Sequence, residues 1–98
     1  MITHIVLLKT RADDAIVAAT FDEIGALQGS LDGLRSVLRG RSTSPERIER
    51  GFLHGLVLTF DDWAALEGYQ ADPRHVATSA KIRDLAEPDG VLVFDLES

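Results

Sequence analysis

Apolar positions along this chain alternate between two periods. Ile2 to Lys9 is a run of β-branched and leucine residues closed by Thr10-Arg11-Ala12-Asp13-Asp14, which predicts a strand. Val17, Phe21, Ile24 and Leu27 or Gln28 then recur at helical spacing, with Asp22 and Glu23 between them. Asp13 and Asp14 stand where a cap and first-turn acids belong, and Gly29 stands where that helix should stop. Leu34 to Arg41 alternates weakly and predicts a second strand, broken by Ser42-Thr43-Ser44-Pro45-Glu46. Leu53 to Phe60 predicts a third. Asp61-Asp62 caps a short helix containing Trp63, Leu66 and Tyr69, and Asp72-Pro73 restarts the helix with a new cap and a first-turn proline. The restarted piece carries His75, Ser79, Ile82 and Ala86, Glu87-Pro88-Asp89-Gly90 ends it, and Val91 to Leu96 predicts the last strand.

The order is β-α-β-β-α-β, the split βαβ or ferredoxin-like arrangement of an α+β protein, occupying residues 1–98 as one domain. The expectation is a sheet of antiparallel type, with the first and third strands central and parallel to each other. Right-handed crossovers place both helical regions on one face. Yet both faces of the strands are apolar. Ile5 and Leu7 oppose Ile2, Val6 and Leu8, while Val57 opposes Leu56, Leu58 and Phe60. Nothing left in the chain covers the second face, so a homodimer through that face is expected.

Composition narrows the function. The 98 residues are 45% hydrophobic and 27% charged, ordinary globular values that exclude disorder as the general state. Sixteen acids against ten bases give a formal charge of −6, which disfavours nucleic acid and anionic membrane as partners. With no cysteine there is no disulfide, thiolate nucleophile or zinc–sulfur site. No apolar run is long enough to span a bilayer, and the start of the chain lacks a signal-peptide pattern; a cytoplasmic location is expected. The glycines do not form a phosphate-binding spacing, so no nucleotide loop is expected.

The chemistry lies in three histidines and a tyrosine. His4 and His54 lie near the starts of the first and third strands. If those strands run parallel, the two imidazoles share one end of the sheet, on the face of Val6 and Leu56. His75 lies one turn past Pro73, and Tyr69 closes the preceding helix. A cluster of imidazoles and a phenol in an apolar pocket suits proton transfer on a small molecule. A strand histidine taken singly also fits a satisfied structural residue. No carboxylate shares the histidines' spacing and no His-x-x-x-His pair occurs, so no metal or cofactor is expected.

Four segments carry a family resemblance. They are His4-Ile5-Val6-Leu7-Leu8-Lys9, Gly51-Phe52-Leu53-His54-Gly55-Leu56-Val57-Leu58-Thr59-Phe60, Tyr69-Gln70-Ala71-Asp72-Pro73-Arg74-His75 and Val93-Phe94-Asp95. The sequence resembles the stress-responsive A/B barrel domain family of dimeric α+β barrel proteins, over essentially its whole length. That resemblance implies a ferredoxin-like protomer and a dimer whose sheets pack into a barrel. The family's best-defined activity is that of olivetolic acid cyclase, a cofactor-independent polyketide cyclase in which a Tyr–His pair promotes aldol condensation. By resemblance the catalytic pair is Tyr69 and His75, with His75 the general base, and the strand histidines that hold substrate are His4 and His54. Two departures stand out: Asp72 replaces the histidine usual before the proline, and the last helical segment lacks aromatics. The substrate class implied is a polyketide-like or other enolisable carbonyl compound. The alternatives are a non-catalytic dimeric stress-response or ligand-binding protein and a cofactor-free monooxygenase.

Overall fold

The computed structural model describes residues 1–98. Its elements are β1 (Ile2–Thr10), α1 (Asp14–Gly25), β2 (Leu34–Arg41), β3 (His54–Phe60), α2 (Trp63–Ala71), α3 (Pro73–Leu85) and β4 (Ala86–Glu97). The four strands form one sheet in the order β2-β3-β1-β4, the ferredoxin-like topology, with the helices over one face.

Every neighbouring pair is antiparallel, which corrects the expectation that the first and third strands are parallel. The reason is topological. The crossover through α1 makes β1 parallel to β2, and β3, which reverses direction after β2, is inserted between them. It is therefore antiparallel to both. His4 of β1 stands opposite Leu58, and His54 stands opposite Leu8. The two histidines lie four ladder positions apart, roughly 13 Å at the rise of a strand.

Strict alternation in β1 and β3 sends Ile2, His4, Val6 and Leu8, and His54, Leu56, Leu58 and Phe60, under the helices. They meet Val17, Phe21 and Ile24 of α1, Leu66 and Tyr69 of α2, and Ile82 of α3 in a single core. On the opposite face, Leu38, Val57, Ile5 and Phe94 line up across all four strands in register. Leu38 and Phe94 on this row are 66% and 55% exposed, an apolar surface that the protomer itself leaves uncovered.

Two boundaries differ from the sequence expectation. α1 stops at Gly25 rather than running to Gly29; Leu27, Gln28 and Ser30 continue it only as tight turns, donating to carbonyls three residues back. Gly29 occupies the left-handed region (φ 87°) within that turn series. β4 begins at Ala86 rather than Val91, because Ala86 already pairs with Thr10 while Val91 pairs with Leu8. The stretch between them, Glu87-Pro88-Asp89-Gly90, is an extended bulge. Gly90 is required there: a Cβ would come within 2.5 Å of the Lys9 carbonyl oxygen and 2.6 Å of that of Glu87. Both are backbone atoms that cannot swing aside. Gly90→Ala should therefore destabilise the protein by about 1–3 kcal/mol in chemical denaturation, the usual cost of overpacking. An unchanged midpoint would mean that the bulge is not held in this form.

Candidate functional site

Tyr69 owes its position to a helix break. Asp72 is extended, as a residue before proline must be, and its carboxylate accepts from the Arg74 backbone N–H at 2.9 Å, capping α3. The Arg74 side chain also donates to it, and this hydrogen bonding pulls the Asp72 carboxyl down to about 2. Asp72, which replaces the histidine usual in the related motif, thus caps the helix that carries His75. The break folds the first turn of α3 back beside the last turn of α2. The Tyr69 and His75 rings meet at 4.2 Å between centroids, and His75 Nδ1–H donates to the Gln70 carbonyl at 3.2 Å. Because a carbonyl only accepts, that bond leaves Nε2 of His75 as the free, basic nitrogen.

On its other side Tyr69 meets His4 edge-on at 6.1 Å, and its ring leans on Phe60 at 5.2 Å. His4 Nδ1 lies 2.5 Å from Asp95 Oδ1, across the β1–β4 ladder where these two residues are direct partners. A carboxylate on Nδ1 fixes the ring and its tautomer and leaves Nε2 to face the site. Tyr69 is almost wholly buried, yet its hydroxyl has no partner in the chain. No fully enclosed side-chain polar atom lacks a hydrogen bond, so the hydroxyl opens onto accessible space. Tyr69 lines a cavity of about 170 Å³ between sheet and α3, together with His4, His75, Ile82 and Val93 among others.

Burial sets the protonation states. It pushes the Tyr69 phenol well above its ordinary value, so the group remains a hydrogen-bond donor at neutral pH. His75 is moved below the usual histidine range, chiefly by burial, against a smaller opposing effect of its bond to Gln70. It is neutral, and hence a base, at pH 7.

His54 lies outside this cavity, which corrects the expectation that three imidazoles converge. It is buried at the far end of β3, with Nε2 3.4 Å from Asp14 Oδ1 in the first turn of α1. Burial lowers its pKa too, with Asp14 opposing. It borders two other hollows, of about 230 Å³ beside α1 and about 430 Å³ reaching the open sheet face. Asp95 is the member that sequence reading missed as a partner of His4; antiparallel register between the first and last strands was the signal that pairs them. No three histidine, aspartate or glutamate side chains gather in a cation-binding group.

Residues 2–98 match the family described as Stress responsive A/B Barrel Domain, Dabb. The chain belongs to that family. The fold matches a dimeric ferredoxin-like protein of unknown function from Jannaschia sp. CCS1, with 27% identity, TM-score 0.90 and coverage of 99% of this chain and 98% of that one. It is also similar to a hydroxynitrile lyase from Passiflora edulis, at 18% identity and TM-score 0.82, covering 97% and 90% of the two chains. A third similar structure is SnoaB, a cofactor-independent oxygenase from Streptomyces nogalater, at 12% identity and TM-score 0.80, covering 99% and 91%. The last two likenesses concern the fold. A comparison with curated protein sequences gives no match. No helix of this Dabb protein is long and apolar enough to cross a membrane.

The lowered histidines make stability depend on pH with a definite sign. The unfolded chain binds protons on His75 and His54 more readily than the folded one. Stability is therefore highest above the unfolded histidine pKa of about 6.5 and falls as pH drops through it toward the folded values. Urea midpoints measured from pH 8 down to 5 should fall, and the fall should be shallower in His75→Gln. A midpoint that rises as pH falls over this window would show that these imidazoles are not held neutral by burial.

Proposed function

We propose that this Dabb protein is a cofactor-independent enzyme of the cyclase or isomerase type, acting on a small enolisable carbonyl compound. The observation that carries the reading is that Tyr69, whose hydroxyl is unbonded, lines a cavity together with His4 and His75, both of which approach its ring. His75 Nε2 takes the proton alpha to the carbonyl. The C–H electron pair moves into the new carbon–carbon double bond, and the carbonyl π pair passes to oxygen. The Tyr69 hydroxyl donates a hydrogen bond to that developing enolate. In a cyclisation the enolate carbon then bonds to a second carbonyl carbon of the same molecule, and the resulting alkoxide recovers the proton from His75. His4, pinned through Nδ1 by Asp95, holds the substrate's polar end. Among similar folds are a hydroxynitrile lyase and a cofactor-independent oxygenase, so proteins of this fold include enzymes.

The working unit we propose is a homodimer. The Leu38–Val57–Ile5–Phe94 row covers itself most simply by packing on the same row of a second copy, and the relative from Jannaschia is described as dimeric. Light scattering should give about twice 10.7 kDa. Val57→Asp should weaken the dimer, because it would bury an unpaired charge. A folded monomer at micromolar concentration would contradict the arrangement.

Catalysis has its own test. In D2O the protein should exchange protons flanking the carbonyl of a small ketone for deuterium. His75→Ala should lower that rate by about 10²–10⁴-fold while leaving the fold intact. Tyr69→Phe should also lower it, and combining the two should cost little more than the histidine change alone, since the pair acts as a unit. Undiminished exchange in folded His75→Ala would remove the base from the scheme. If the native protein binds ketones without exchanging them, the non-catalytic ligand-binding reading takes its place.

A further inference from the structure

His75, Ser79 and Arg83 succeed one another at four-residue intervals on α3, so they share one side of that helix. All three line the cavity of His4 and Tyr69. Arg83 is the one lining residue with a permanent charge; the remainder are apolar or neutral polar side chains and the imidazoles. Five of the eight arginines are in ion pairs: Arg11 with Glu87, Arg35 with Asp61, Arg39 with Asp22, Arg41 with Asp14 and Arg74 with Asp72. Arg83, at the rim of the cavity, makes no ion pair and no side-chain hydrogen bond, although the chain carries six more acids than bases.

Helical side chains lean toward the N-terminus, which inclines Arg83 toward the turn that carries Ser79 and, beyond it, His75. At the rise of an α-helix, Ser79 stands about 6 Å along the axis from His75. The cavity, at about 170 Å³, compares with the roughly 150 Å³ that holds one benzene ring, so its occupant is compact. Resting on the enolisation scheme above, we infer that the substrate is a compact carbonyl compound bearing a carboxylate. That carboxylate is anchored by Arg83 with the Ser79 hydroxyl, some four bonds from the carbon that His75 deprotonates. The charge of Arg83 also helps to keep the His75 imidazole neutral, adding to the larger effect of burial.

Levulinate and its methyl ester are suitable probes, because they share one enolisable ketone and differ in the charge at the far end. Binding to the native protein is followed by NMR titration, and turnover by deuterium exchange beside the ketone. Levulinate should bind roughly tenfold or more tighter than the ester, as befits a hydrogen-bonded charge pair. Arg83→Gln should erase that preference without changing ester binding, and Arg83→Lys should retain part of it. Arg83 is exposed on the helix surface, and an unchanged melting temperature checks the fold of both variants. Equal binding of acid and ester, a preference that survives Arg83→Gln, or no binding of levulinate would each overturn the anchor. Acid-selective binding without exchange would instead support the anchor and overturn the enolisation scheme, so the two failures are distinguishable.

Discussion

The antiparallel pairing of β1 with β3 is the constraint on which the rest of this molecule depends. It places Ile2 opposite Phe60 and Leu8 opposite His54, and so decides which buried side chains share an end of the sheet. At one end His4 lies within reach of Tyr69, whose ring is braced by Phe60 from β3. At the other end His54 lies against Asp14. A one-residue slip of either strand would turn that strand's histidine onto the open face and bring Ile5 or Val57 under the helices. Two buried ladders of leucine, isoleucine and phenylalanine hold the register against that slip.

The site is assembled from elements that separately have structural reasons to exist. Asp72-Pro73 ends one helix and caps the next, and the same break brings the Tyr69 and His75 rings together. The β1–β4 ladder closes the sheet, and the same ladder sets Asp95 against His4. Burial that strengthens the core also keeps Tyr69 protonated and His75 neutral. A donor and a base thereby coexist at one pH.

Much of this was legible in the sequence because it rests on local chemistry. Alternation in Ile2–Lys9 and Leu53–Phe60 marks half-buried strands, and Asp62 and Asp72 both cap helices as their positions suggest. The order of elements gave the topology and the uncovered apolar face. What failed was the relative direction of strands that are not consecutive, a property of the whole crossover rather than of any segment. That single inversion grouped His54 with His4, while Asp95 was missed because its pairing with His4 depends on the register of the first and last strands. The early start of β4 was obscured for a related reason: Glu87-Pro88-Asp89-Gly90 has the composition of a turn, but Thr10 captures Ala86 into the ladder before it. The end of α1 at Gly25 rather than Gly29 reflects tight turns that carry helical spacing beyond the helix itself.

The central claim is that His4, Tyr69 and His75 form one ligand-binding unit from which His54 is separate. Ring resonances of the three histidines and the tyrosine, assigned and followed while a neutral enolisable diketone such as acetylacetone is titrated in, test it most directly. The account predicts that His4, Tyr69 and His75 shift together along a single binding curve while His54 stays in place. A curve shared by His54, or saturation that leaves Tyr69 and His75 unmoved, would contradict it.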